Sequence, residues 1–239
     1  MMSGKEKMVL SGGAYSEITV AAAIDLSGSS KPQLLIDTSP KENKAKRDAS
    51  RSALTKWFDQ NYRSVTPEFL HLEDPNEPIT AIGDKLESAD VLMVTGGGTM
   101  QGLDRWQRLG VADQIRRRVQ AGQMAIHGAS AGAMIWFEQG YSDSLSTVNP
   151  RDWQYIVTPG MGVVPAWIMA HHEDSDELGR EKSTQFRQAL SDNEGRWSHA
   201  LGIETGAALV CSEGLGYVLA ASKSTRYPSD VILYTPNPG

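Results

Sequence analysis

The stretch from Met124 to Glu138, MAIHGASAGAMIWFE, constrains this chain more than any other. Its first half is apolar enough for a short buried strand, and AGAMIWFE reads as the first turns of a helix that follows directly. Between them stands Gly128-Ala129-Ser130-Ala131-Gly132, a G-x-S-x-G. A serine on a sharp strand-to-helix turn pushes its hydroxyl out of the sheet, and the flanking glycines leave room for the turn and for close packing. Free N–H groups and the positive end of the next helix favour negative charge developing beside that hydroxyl. A nucleophilic serine is one reading. A small-residue turn before a buried helix is the other, and the pentapeptide alone does not decide between them.

The surrounding pattern supplies context. Met8-Val9-Leu10 reads as a buried strand running into Ser11-Gly12-Gly13, and Glu17 to Leu26 follows with helical spacing. A second apolar run ends at Thr38, and Ser39-Pro40 opens a long charged helix to about Tyr62. Phe69 to Leu72 is a third strand candidate, and Ile79 to Leu86 a short helix. Val91-Leu92-Met93-Val94 is a continuous apolar run, as in a strand covered on both faces. It ends in Thr95-Gly96-Gly97-Gly98-Thr99, with helices expected from Met100 and over Val111 to Val119.

Strand and helix alternating over the first 140 residues or so predict an α/β fold. We expect a doubly wound, mostly parallel sheet with helices on both faces. Ligands bind outside the carboxyl ends of such strands, where Ser11–Gly13, Gly96–Gly98 and Ser130 would converge.

After Glu138 the pattern changes. Tyr141 to Tyr155 is polar and irregular, suited to a loop beside the site. Short strands are expected at Tyr155–Val157 and Met161–Val164, a helix over Glu177 to Leu190, and a strand over Leu201 to Cys211. Tyr217 to Ala221 and Val231 to Tyr234 complete the sheet as antiparallel, hairpin-like strands. With neither repeat nor low-complexity linker in sight, residues 1–239 are expected to form one domain.

Bulk properties narrow the function classes. A formal net charge of −6 argues against a nucleic-acid surface, and Arg116-Arg117-Arg118 falls late in a helix, where cations complement the dipole. The single cysteine, Cys211, permits neither an intrachain disulfide nor a Cys-rich metal site. The N-terminus lacks a signal-peptide pattern and no apolar run reaches membrane-spanning length, so a cytoplasmic protein without membrane contact is expected.

A serine nucleophile needs a base, and the base needs an orienting group. Of the five histidines, His127 lies in the nucleophile strand and reads as a core residue, His71 falls in a peripheral strand and His199 on a surface turn. His171 and His172 follow an apolar segment at a strand end, and on extended chain only one of two neighbours faces a given side. A metal site made with Glu173 and Asp174 is the competing reading, disfavoured because four consecutive residues cannot converge on one ion. Glu204, set in an apolar stretch, is a candidate orienting carboxylate, since an unpaired charge there is costly. Asp143 is its competitor. Ala131 N–H would supply one oxyanion donor and the Gly97-Gly98 loop the other.

These blocks taken together resemble the S51 serine peptidases. The resemblance rests on Thr95-Gly96-Gly97-Gly98, Gly128-Ala129-Ser130-Ala131-Gly132-Ala133, Ala170-His171 and Gly202-Ile203-Glu204, and runs from Leu10 to about Leu209. That family includes the alpha-aspartyl dipeptidases (peptidase E) and the cyanophycinases. Its fold is related to class I glutamine amidotransferases, which carry a cysteine where this chain has Ser130. The resemblance implies Ser130 as nucleophile, His171 as base and Glu204 as orienting acid, with Gly98 or Gly97 and Ala131 as oxyanion donors. Asp143 then falls to a supporting role. The family's glycine loop continues with Asn or Asp and a Gln, whereas Thr99-Met100-Gln101 stands here, so Thr99 alters a substrate-facing contact. Members specific for aspartyl substrates place an arginine near the helix after the histidine, and Arg180 and Arg187 are both available.

The expectation is hydrolysis of a short peptide, a dipeptide with N-terminal Asp, through an acyl-enzyme and without metal or organic cofactor. An isoaspartyl or cyanophycin-type peptidase, or another acyl hydrolase, is an alternative on the same scaffold. A non-catalytic amidotransferase-like module gripping an anionic ligand with Gly13, Gly98 and the Ser130 helix is the alternative from another class. A short peptide is the expected partner. Small related enzymes often pair, which leaves a homodimer open, but no sequence feature marks a dimer face.

Overall fold

The computed structural model describes residues 4–63, 65–74, 76–146, 154–221 and 230–236. Among these, twelve strands and seven helices form two sheets with helices packed against them. Strands β1 (Met8–Ser11), β2 (Leu34–Asp37), β3 (Glu68–Leu70), β4 (Val91–Val94) and β5 (Ala125–Ala129) run parallel in the order β1-β5-β4-β2-β3. Between them come α1 (Glu17–Ser27), α2 (Lys44–Asn61), α3 (Ile79–Ser88), α4 (Thr99–Arg108) and α5 (Ala112–Gln120).

The apolar runs explain this arrangement. Side chains on a strand alternate between its faces, so an unbroken apolar run must be covered twice. In β4, Val91 and Met93 enter a core with Val20 and Ala23 of α1 and Leu54 and Phe58 of α2. Leu92 and Val94 enter the opposite core with Ile82, Leu103, Trp106 and Ile115 from α3, α4 and α5. Fully burying a side chain such as Phe58 contributes about 1.5–3 kcal/mol. Local signals agree with the packing: Ser16 and Thr19 cap the start of α1 reciprocally, and Gly28 closes it at φ 74°.

The helix expected after Ser130 is far shorter than its composition suggests. It is a single turn, α6 (Ala131–Met134), and Phe137–Ser142 forms β6 of a second sheet. With β7 (Ile156–Pro159), β8 (Val164–Ala170), β9 (Ala200–Ile203) and β12 (Val231–Tyr234), that sheet has the order β12-β9-β8-β6-β7, its three central strands parallel. Trp167, Met169 and Ala200 of this sheet pack on Phe186 and Leu190 of α7 (Lys182–Asp192).

The structure also departs from two expectations for the C-terminal strands. The stretch Leu201 to Cys211 is two strands in different sheets, because Glu204-Thr205-Gly206 turns the chain between β9 and β10 (Ala207–Ser212). Accordingly β10 and β11 (Leu215–Ala220) make an antiparallel hairpin on the first sheet, while β12 pairs antiparallel with β9 on the second. No helix among the described residues is long and apolar enough to cross a membrane.

Candidate active site

Ser130 sits between β5 and α6 with φ 52° and ψ −116°, a backbone conformation that turns the chain sharply. Gly132, just beyond, passes so close to β4 that an added Cβ would lie 2.3 Å from the Val94 carbonyl oxygen. The end of β1 braces both halves of the site: Ser130 N–H donates to Ser11 O at 2.9 Å and His171 N–H to Gly12 O at 3.2 Å. Ser11-Gly12 therefore acts as a buttress.

The hydroxyl Oγ of Ser130 is 2.9 Å from His171 Nε2. His171 Nδ1 is 3.1 Å from Thr205 Oγ1 and 3.6 Å from Asp174 Oδ2. Burial pushes the His171 imidazole below the usual histidine value, and Lys182 adds to this while Asp174 and Glu173 oppose it. A neutral imidazole can accept a proton, as a base at neutral pH must. His172 turns the other way, its Nε2 2.6 Å from the Tyr234 hydroxyl and its ring over Gly202.

Glu204 does not meet His171. Its carboxylate accepts from the Asp230 N–H at 2.8 Å, and its own N–H donates to Asp230 O at 3.1 Å, which ties it to the entry of β12. The two residues sit in the turn between β9 and β10, closed by Ala207 N–H to Glu204 O at 2.9 Å, with Thr205 on the side of the imidazole and Glu204 on that of Asp230.

The glycine loop after β4 is held by a buried turn. Asp37 accepts from Ser39 N–H at 2.8 Å, Ser39 Oγ at 2.7 Å and Trp106 Nε1 at 2.7 Å, and burial raises its pKa. The adjacent Pro40 carbonyl accepts the Gly98 N–H at 2.7 Å. Gly98 N–H is thus already taken as a donor, contrary to the oxyanion role expected of it. Gly97, at φ 149° with Pro40 O where a Cβ would go, lines the Ser130 cavity, and among the described residues neither its N–H nor that of Ala131 has a partner.

A cavity of about 260 Å³ opens over Ser130 and His171, walled by Gly97, Met134, Tyr141, Asp143, Tyr155 and Lys182, among others. Burial raises the pKa of Asp143. Thr99 is not on this wall; it is fully buried, and its hydroxyl accepts from Ser142 Oγ at 3.2 Å. Arg180 is held by Asp176 at 2.7 Å, and Arg187 lines a separate cavity with Trp197 and Tyr234. The cation on the wall is Lys182, which the sequence reading did not single out, and Thr205 and Tyr155 were missed likewise. Of the expected loop, Tyr141, Asp143 and Tyr155 reach the cavity, whereas residues 147–153 lie outside the described part. A larger cavity of about 500 Å³, lined by Lys44, Arg47, Arg51, His71 and Glu73, has its charges paired, as in Arg47–Glu73, and no nucleophile.

Comparison with known proteins bears on the fold and the family. A curated relative, the uncharacterized peptidase YgaJ of Bacillus subtilis (strain 168), is 36% identical over 78 residues, 33% of each chain. The match spans about a third of that relative's length. A peptidase from an acI-B1 Actinobacterium shares the fold at a TM-score of 0.66 and 16% identity, over 98% of this chain and 95% of its own. A peptidase E-like protein from Listeria monocytogenes EGD-e does so at 0.58 and 17% identity, over 91% and 99%. The sequence model of peptidase family S51 matches residues 44–216, which take in the glycine loop, Ser130, His171 and Thr205, and the chain belongs to that family.

Proposed function

We propose that this chain is a serine peptidase of short peptides, with Ser130 as nucleophile and His171 as base. The observation that carries the reading is the 2.9 Å contact between Ser130 Oγ and His171 Nε2 at the floor of an open cavity. His171 takes the hydroxyl proton as Oγ bonds to the scissile carbonyl carbon, whose oxygen gains the negative charge. The unpartnered N–H groups of Gly97 and Ala131 hold that oxygen. Collapse of the intermediate breaks the C–N bond, and His171 passes its proton to the leaving amine. Water then attacks the acyl-enzyme by the same proton path and releases the acid.

The finer reading is a dipeptidase that prefers N-terminal Asp. A substrate carboxylate needs a charged partner in a desolvated pocket. We assign that partner to Lys182 in place of Arg180 or Arg187, and the substrate's α-ammonium to Asp143; both residues line the cavity. Steady-state hydrolysis of Asp-Leu, Leu-Leu, isoAsp-Leu and N-acetyl-Asp-Leu tests this. Asp-Leu should be cleaved best, Ser130→Ala should abolish turnover, and Lys182→Met should raise KM for Asp-Leu more than for Leu-Leu. Preferential cleavage of isoAsp-Leu would move the chain to the isoaspartyl side of the family. Undiminished turnover by Ser130→Ala would end the serine-peptidase reading.

A further inference from the structure

We propose that the group orienting the base is the Thr205 hydroxyl, fixed by Glu173 and supported by Asp174, and that Glu204 holds the chain in place without acting on His171. The inference rests on the reading of Ser130 and His171 as nucleophile and base. For Nε2 to accept the Ser130 proton, the hydrogen of the neutral ring must be on Nδ1, so the partner of Nδ1 has to be an acceptor. Thr205 Oγ1, at 3.1 Å, is that acceptor.

Thr205 is itself clamped. Its N–H lies 3.0 Å from both Glu173 Oε1 and Oε2. Its backbone also packs on Gly13, where an added Cβ would stand 2.5 Å from Thr205 O and 2.8 Å from its methyl carbon. The turn is therefore held from two sides, by a carboxylate at the end of β8 and by the loop after β1. The remaining need is a counter-charge for the imidazolium that forms when the proton is taken up. Asp174 supplies it, 3.6 Å from Nδ1 and shared with Lys182 at 3.6 Å. Hydroxyl and carboxylate thus divide a task that one buried acid performs in a Ser-His-Asp triad. Glu204 is engaged elsewhere, on the Asp230 N–H.

The test is the rate at which a fluorophosphonate labels Ser130, with kcat and KM measured on any peptide that is cleaved. Thr205→Val keeps the shape and removes the acceptor; labelling and kcat should fall on the order of 100-fold with KM little changed, as for loss of tautomer control. Thr205→Ser should restore most of the rate, which a purely structural role for the side chain would not require. Glu204→Gln should stay within about threefold of wild type. Equal labelling of wild type and Thr205→Val, or a large loss in Glu204→Gln with Thr205→Val unaffected, overturns the inference alone. Failure of the wild type to label overturns the nucleophile reading, and this inference with it.

Discussion

Ser130 and His171, 2.9 Å apart at their side chains, both hold positive φ, 52° and 53°. Among the described non-glycine residues only Glu213 does the same. Such backbones cost on the order of 1–3 kcal/mol each and persist where the surrounding structure forces them. Ser130 is forced by its N–H bond to Ser11 and His171 by its own to Gly12. Replacing Ser130 by Gly should therefore relax the turn, and after the entropy of a new glycine is subtracted it should stabilise the fold by about 1 kcal/mol relative to Ser130→Ala. Both variants should lose hydrolysis. Urea unfolding of the two decides; a less stable Ser130→Gly means that the turn is not strained.

The base should also govern the pH profile. Because burial lowers the pKa of His171 and activity requires the neutral ring, kcat/KM should rise with pH and level off below the usual histidine value of 6.5. Lys182→Met removes a cation that disfavours the imidazolium, which should move this limb to higher pH. Asp174→Asn removes an anion that favours it, which should move the limb lower. Rate profiles between pH 4 and 8 for the three proteins read the sign directly, and limbs shifting in the same direction in both variants would contradict the assignment.

Gly132 should tolerate no side chain. An alanine Cβ would stand 2.3 Å from the carbonyl oxygen of Val94, the last residue of β4, and 2.8 Å from that of Thr95, the first of the glycine loop, both backbone atoms. Something must shift, and the cost should be about 2–4 kcal/mol, more than at an exposed glycine. An unfolding free energy within about 0.5 kcal/mol of wild type in urea titration would show that α6 moves freely against β4, contrary to its packing.

The parallel core was legible because its strands are short and apolar on both faces, as Val91–Val94 is, so periodicity and burial agree. The region after Ser130 was not. Ile135, Trp136 and Phe137 are acceptable in a helix, but Phe137 pairs with Val164 and Gly140 with Ile168, and tertiary pairing overrides propensity. Ser130 and His171 could be proposed because a nucleophile elbow and a histidine at a strand end are readable locally. Thr205 could not, since a threonine beside a glycine in a turn has an ordinary local meaning, and its approach to His171 depends on how β8 and β9 align. Arg180 and Arg187 looked available because sequence does not reveal that Asp176 holds the first and that the second faces another cavity.

His127, three residues before the nucleophile, gives a stability prediction independent of catalysis. It is 1% exposed, and its Nε2 is 3.0 Å from the Thr19 hydroxyl of α1. Burial pushes its pKa down to about 4 from the ordinary 6.5. Between these two values the unfolded chain binds a proton that the folded chain refuses, so folding stability falls as pH drops through this window and the loss levels off below it. The slope from this one group is at most about 1.4 kcal/mol per pH unit. His127→Gln retains a polar group for Thr19 and cannot ionise here. Urea unfolding at pH 7, 6, 5 and 4 should show the wild type losing more stability on acidification than His127→Gln, whatever the absolute stability of the variant. Parallel curves would mean that the folded chain accepts the proton at His127 as readily as the unfolded one.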